Sequence, residues 1–205
     1  MSLTVKRGLV YVVGLIILSF GITMTILAGL GAGAWDALNV GLSMVTPFTV
    51  GNWVIFVGLL LIGLNALLSK SRPEIFSILT IVILGFFIDF WLIIVFDNVF
   101  LTGLILQFIV LAIGIVLMAL GIATYLQAKF AVIPIDRFMF VLQGLFGVKL
   151  MIAKTIAEVS ALILAFVVGG PIGLGTILVT FLIGPSIQFF YPKLEKMVYG
   201  AEEVE

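Results

Sequence analysis

The chain has 205 residues, 63% of them hydrophobic and 10% charged, with a mean hydropathy of +1.41. Ten basic residues balance ten acidic ones, so no basic field exists to hold nucleic acid, and almost no chain remains for a water-soluble domain. Cysteine and histidine are both absent, which excludes disulfides, thiol redox chemistry, Cys- or His-ligated metals and histidine as a catalytic base.

A first span is predicted over 8–30, directly after Lys6 and Arg7. Ala32 and Ala34 imitate a leader cleavage site, but the apolar run of 23 residues exceeds the roughly 7–15 of a signal sequence. It is read as a retained helix. The stretch 34–47 is moderately apolar and too short to cross. Spans over 51–68 and 75–96 follow, parted by Lys70-Ser71-Arg72-Pro73. Beyond Asp97-Asn98 come a span over 101–128, a second short stretch over 134–146, and spans over 148–168 and 174–191 on either side of Gly169-Gly170-Pro171. A polar tail runs from Pro192 to Glu205. Trp35, Trp53, Trp91 and Tyr191 fall near span ends, where interfacial anchors belong.

The chain reads twice. Gly14, Gly21, Ile22, Ala28 and Asp36 recur 100 residues on as Gly114, Gly121, Ile122, Ala128 and Asp136. At an offset of 99, residues 76–91 lie over 175–190, pairing Gly85 with Gly184, Ile88 with Ile187, Asp89 with Gln188 and Phe90 with Phe189. With the N-terminus inside, the inner segments carry Lys6, Arg7, Lys70, Arg72, Lys129, Arg137, Lys149, Lys193 and Lys196, and the outer segments carry no basic residue. That bias places both termini in the cytoplasm. Three crossings per copy is an odd number, so the copies enter the membrane from opposite sides. The expected fold is an all-α membrane protein of six transmembrane helices. They form two inverted-topology repeats of three, 1–98 and 99–205, in one membrane domain. Each repeat has a short broken or re-entrant segment after its first helix, and repeats of this kind point toward transport.

Ionisable residues inside spans cost roughly 2.5–3.5 kcal/mol each on insertion scales, so each needs a reason. Glu158 lies near the middle of the fifth span, with Lys154 one turn earlier on the same face. They are either a structural ion pair or a proton-handling group. Asp89 and its repeat mate Gln188 suit a buried polar role, proton coupling for Asp89 and a helix-helix hydrogen bond for Gln188. Asp36 and Asp136 carry the most weight. Each follows helix-breaking sequence, "GLGAGAWD" and "FAVIPID", and each is expected to cap the short helix that follows. Broken helices with free backbone groups are also where transporters hold solutes and ions, so Asp36, Asp136, Trp35 and Asn39 are the candidate solute- or ion-binding residues. Neither aspartate stands in a Gly-x-Gly-Asp setting, Lys154 lacks a Ser–Lys dyad motif, and "GLGAG" follows no strand. No enzyme activity, metal or cofactor is expected.

The string "GLGAGAWDALNVGLSMVTPFTVGNWV", followed by "KSRP" and "GFFIDF", resembles the bacterial YczE/YyaS/YitT family of integral membrane proteins. The residues that carry it are Gly31, Gly33, Trp35, Asp36, Leu38, Gly41, Leu42, Ser43, Thr49 and Gly51. The first half matches well, and the second fits in size and layout. The resemblance implies a polytopic protein of a prokaryotic inner membrane and leaves the solute open. The leading expectation is a small secondary transporter or facilitator with its site between the repeats. The alternative is a non-transporting solute-binding or regulatory membrane module. The expected partners are the lipid bilayer, an unidentified small solute or ion and further copies of the chain.

Overall fold

A computed structural model describes residues 3–199. Every regular element among them is helical: α1 (Leu3–Leu27), α2 (Ala34–Val45), α3 (Val50–Ser69), α4 (Phe76–Asp89), α5 (Leu104–Gln127), α6 (Pro134–Phe146), α7 (Leu150–Val167) and α8 (Leu174–Tyr199). Helix α4 continues as a six-residue π-helical stretch, Phe90–Val95. Six helices are long and apolar enough to cross a membrane. Helices α2 and α6, with 12 and 13 residues, reach only about 18–20 Å at 1.5 Å per residue, against about 30 Å of hydrocarbon. Large apolar side chains such as Phe100 and Ile105 lie on the outside, where lipid takes the place of water.

Because lipid is as apolar as leucine, helices in it associate through close packing. The most extensive packing joins α1 to α5, which run antiparallel. A Cβ on Gly14 would lie 2.4 Å from the Tyr125 amide nitrogen, and one on Gly114 would lie 2.8 Å from Thr25 Cγ2. A Cβ on Gly21 would lie 2.5 Å from the Met118 nitrogen, and one on Gly121 would lie 2.4 Å from the Leu18 nitrogen. Each contact therefore recurs with the two halves of the chain exchanged. Further seams cross between the halves, with α2 against α7 and α3 against α6.

The seams are not all matched. Helix α3 packs on α4, where a Cβ on Gly85 would stand 2.5 Å from the Gly51 carbonyl oxygen. Asp89 closes that seam. Its Oδ1 accepts from the Gly51 amide at 2.8 Å and its Oδ2 from the Thr49 hydroxyl at 2.6 Å. Thr49 is itself the N-cap of α3, accepting from the Asn52 amide. The corresponding helices α7 and α8 stand apart, and a Cβ on Gly184 would meet only Lys154 Nζ, at 3.9 Å.

Helix α8 differs from the sequence expectation at its end. It passes through Pro185 and Pro192 and continues to Tyr199, although each proline removes a backbone hydrogen bond. Tertiary bonds hold it. Gln127 Nε2 donates to the Tyr191 carbonyl at 3.1 Å, the Tyr199 hydroxyl donates to the Gln127 carbonyl, and Lys6 Nζ donates to the Val198 carbonyl. Of the tail expected from Pro192, residues 200–205 lie outside the described residues. Arg7 and Lys129 both face the Tyr199 ring, so basic residues from two segments meet the end of α8 at one end of the bundle. Two tryptophans depart from simple anchoring: Trp91 Nε1 donates to Ser19 Oγ at 3.0 Å and Trp53 Nε1 to Thr46 Oγ1 at 2.8 Å.

This packing sets the outcome of four substitutions. Gly121→Val forces apart the α1–α5 backbone contact and should cost about 1–3 kcal/mol or more, the usual range for overpacking, read as a lower thermal midpoint in detergent. Gly63→Ala, in open space on α3, should be neutral or stabilising by about 0.5–1 kcal/mol. Asp89→Ala strips the α3 N-terminus of two hydrogen bonds and should cost at least about 1.5–3 kcal/mol in the same measurement. Asp89→Asn keeps an oxygen for Gly51 and a donor for Thr49, so it should retain most of the stability.

Candidate functional site

A cavity of about 220 Å³ lies at the centre of the bundle, and all eight helices contribute to its wall. The wall is mostly aliphatic, with Leu18, Ile81, Ile88 and Val179 among its buried members. Into it face the first turns of both short helices, Gly33 to Asp36 from α2 and Ile133 to Asp136 from α6. Local sequence explains why the chain breaks at these points. Gly31 adopts φ +105, and a Cβ there would lie 2.5 Å from the Gly173 nitrogen, so only glycine fits the turn into α2. Pro134 occupies the first position of α6, where its missing N–H removes no helical bond.

The two aspartates occupy matching places, but they are not the N-caps expected from sequence. Gly33 and Ile133 hold the N-cap positions, without side-chain caps. Asp36 and Asp136 each stand three residues later, in the first turn, where a carboxylate still complements the positive end of the helix dipole. The Asp36 carboxylate folds back over Gly33, where a Cβ would lie 2.9 Å from Oδ2. Asp136 Oδ2 accepts from the Tyr125 hydroxyl at 2.9 Å. The position matching Tyr125 in the first half is Thr25, whose hydroxyl donates to the Ile22 carbonyl instead. The two aspartates thus differ in their hydrogen bonding despite their matching positions.

Lys154 and Glu158 enter the same cavity from α7. They form no direct ion pair. Among the described residues the one ion pair is Arg137 Nε to Glu74 Oε1 at 3.2 Å, which links α6 to the α3–α4 connection. Lys154 lies within electrostatic reach of both Asp136 and Glu158, and Glu158 within reach of Asp36. Asn39 and Trp35 complete the polar lining. Asn39 is 3% exposed and its Oδ1 has no hydrogen-bond partner among the described residues, nor does Trp35 Nε1. Trp35, in the cavity wall, packs edge-on against Phe138.

Six of the eight sequence candidates therefore share one cavity: Asp36, Asp136, Trp35, Asn39, Lys154 and Glu158. Asp89 lies elsewhere, closing the α3–α4 seam. Gln188 is on the exposed side of α8, one residue beyond Ile187 of the cavity wall. Sequence reasoning passed over Tyr125 and Tyr11. Tyr11 donates to the Ala131 carbonyl at 3.2 Å and bonds the Thr80 hydroxyl, supporting the break before α6. Asn65 was missed too, and its Nδ2 donates to the Pro134 carbonyl at 3.0 Å. The available signal was a polar group within an apolar span, at a lower cost than a charge and so less conspicuous.

No metal-binding cluster of three or more acidic, histidine or cysteine residues occurs among the described residues. No solved structure matches the chain. The uncharacterized protein YyaS of Bacillus subtilis is 39% identical over 91% of this chain and 92% of its own length. The uncharacterized membrane protein YczE of the same organism is 36% identical over 92% and 87%. A Haemophilus influenzae protein described as uncharacterized is 30% identical over 85% and 78%. The model of a family of unknown function, DUF6198, matches residues 5–192. By these matches the chain is a membrane protein belonging to the DUF6198 family, with YyaS and YczE among its relatives.

Proposed function

We propose that the protein is a small secondary transporter or facilitator, with the central cavity as its solute site. The observation that carries this reading is the convergence of Asp36 and Asp136, from matching first turns of two short helices, on one cavity walled by all eight helices. Broken helices that aim their ends at a central cavity are the usual construction of such sites. The proposal includes the inverted repeat. Its support is the antiparallel α1–α5 contact, in which each glycine contact recurs with the halves exchanged. In this reading one half rocks against the other, and no chemical transformation of the solute takes place. The protein resides in a prokaryotic inner membrane with both termini cytoplasmic. Support for that orientation comes from the basic end of the bundle, where Lys6, Arg7 and Lys129 gather around the α8 terminus.

The orientation is tested with single cysteines in a chain that has none. Phe48 and Phe146 are both exposed, each beside the end of a short helix. In intact cells a membrane-impermeant maleimide should label Phe48→Cys, and it should label Phe146→Cys only after the membrane is opened. Equal labelling of both from outside would overturn the inverted arrangement.

Transport is tested in liposomes loaded with a defined mixture of amines, amino acids, nucleosides and carboxylic acids, read by mass spectrometry for protein-dependent loss. The parent should deplete at least one class. Asp36→Asn and Asp136→Asn should abolish that loss while shifting stability by no more than about 0.3–1 kcal/mol, the worth of a first-turn charge on a helix dipole. A parent that retains a solute tightly without moving it would be the non-transporting binding module instead.

A further inference from the structure

We infer that the solute of the central cavity is a small organic cation, a protonated amine with an apolar body; this rests on the transport reading for its location only. The first reason is charge. Three carboxyl groups (Asp36, Asp136 and Glu158) share the cavity with a single ammonium, that of Lys154. Lys154 can balance one carboxylate at most. The N-termini of α2 and α6 add about half a positive charge each, which still leaves the site short of positive charge. An unbalanced carboxylate in a water-poor interior either takes up a proton or gains a counter-ion, and a cationic solute is the counter-ion that this lining would accept.

The second reason is the buried acceptor at Asn39. Asn39 lines the cavity, and its Oδ1 is almost fully buried and accepts from nothing among the described residues. Left unmet, such a group costs about 1–3 kcal/mol, and an N–H donor on the solute would meet it. Trp35 belongs to the same wall, and an aromatic ring there is a group that attracts a cation.

The third reason separates an organic cation from a metal ion. Calcium takes six to eight oxygen ligands and magnesium demands near-octahedral geometry. The described residues hold no cluster of three acidic groups disposed to ligate one. The remaining wall is aliphatic, and 220 Å³ falls below the roughly 300–1,000 Å³ of drug-sized pockets. The cavity thus suits a compact solute with a charged end and an apolar remainder.

The test compares three probes of one shape: 2-phenylethylammonium, 2-phenylethanol and phenylacetate. Each is offered to the full-length protein in detergent, with binding followed by equilibrium dialysis and by the thermal midpoint. The ammonium should bind saturably, at least tenfold more tightly than either analogue. Asp36→Asn should weaken it at least tenfold with little change in the ligand-free midpoint. Glu158→Gln serves as the second variant if the first is poorly folded. Equal or tighter binding of the alcohol or the acid would overturn the inference, as would the absence of saturable ammonium binding. Charge-selective binding without counterflow in liposomes would uphold the cation class and remove the transport reading. Counterflow of phenylacetate without ammonium binding would do the reverse.

Discussion

Backbone amides and carbonyls withdrawn from water must find partners inside the protein, and the rest of this structure depends on how two non-helical segments meet that requirement. Between α1 and α2 the solution is mainly backbone to backbone. The Ala32 amide donates to the Pro171 carbonyl at 3.1 Å and the Gly175 amide to the Leu30 carbonyl at 2.7 Å. These bonds need two chains in near contact, hence the glycines at 31, 173 and 175. Between α5 and α6 side chains do the same work. Tyr11 reaches the Ala131 carbonyl, Ser77 the Val132 carbonyl at 3.0 Å, and Asn65 the Pro134 carbonyl at 3.0 Å.

Those partners come largely from the other half of the sequence, so the halves interlock. The first break is held by the α7–α8 turn, and the second by α1, α3 and α4. Neither short helix could keep its place if the other half were removed. The same anchoring brings the first turns of α2 and α6 to the cavity, whose lining their aspartates share with Lys154 and Glu158. A polar centre in an apolar bundle is thus the consequence of where the chain had to break.

Much of this was legible in the sequence. The short helices α2 and α6 lie within two residues of their expected bounds, because Gly31, Gly33 and Pro134 interrupt runs whose apolar character is otherwise continuous. The cost of a charge in a span pointed to Lys154 and Glu158, and the helix-breaking sequence before them pointed to Asp36 and Asp136; all four share the cavity. That cost does not reveal what offsets it, and so Asp89 looked the same as the others. Its partners Thr49 and Gly51 lie some 40 residues away, at a helix start that only tertiary packing brings near. Lys154 and Glu158 form no direct ion pair, and the lysine lies within electrostatic reach of Asp136 as well as of Glu158. Tyr125 was hidden for a different reason: a tyrosine is at home in any apolar span, and its bond to Asp136 crosses from α5 to α6.

The difference between the α3–α4 and α7–α8 seams is written into the repeat itself. At the offset of 99 that aligns Asp89 with Gln188, Thr49 falls over Val148 and Gly51 over Leu150. The second copy therefore lacks the hydroxyl, the carboxylate and the absent side chain that together let α3 approach α4. Where Gly51 lets α3 approach Gly85, the start of α7 carries the side chains of Leu150 and Met151, and α7 stands away from Gly184. Parting the α3–α4 seam means breaking the bonds of Asp89 to Thr49 and Gly51, at about 1.5–3 kcal/mol for each bond to a charged group. The α7–α8 seam has no such bonds among the described residues, and the Lys154 side chain alone stands beside Gly184. Two halves alike in sequence are therefore unlike in how firmly they close, and in the transport reading the two faces of the cavity differ in the work needed to open them.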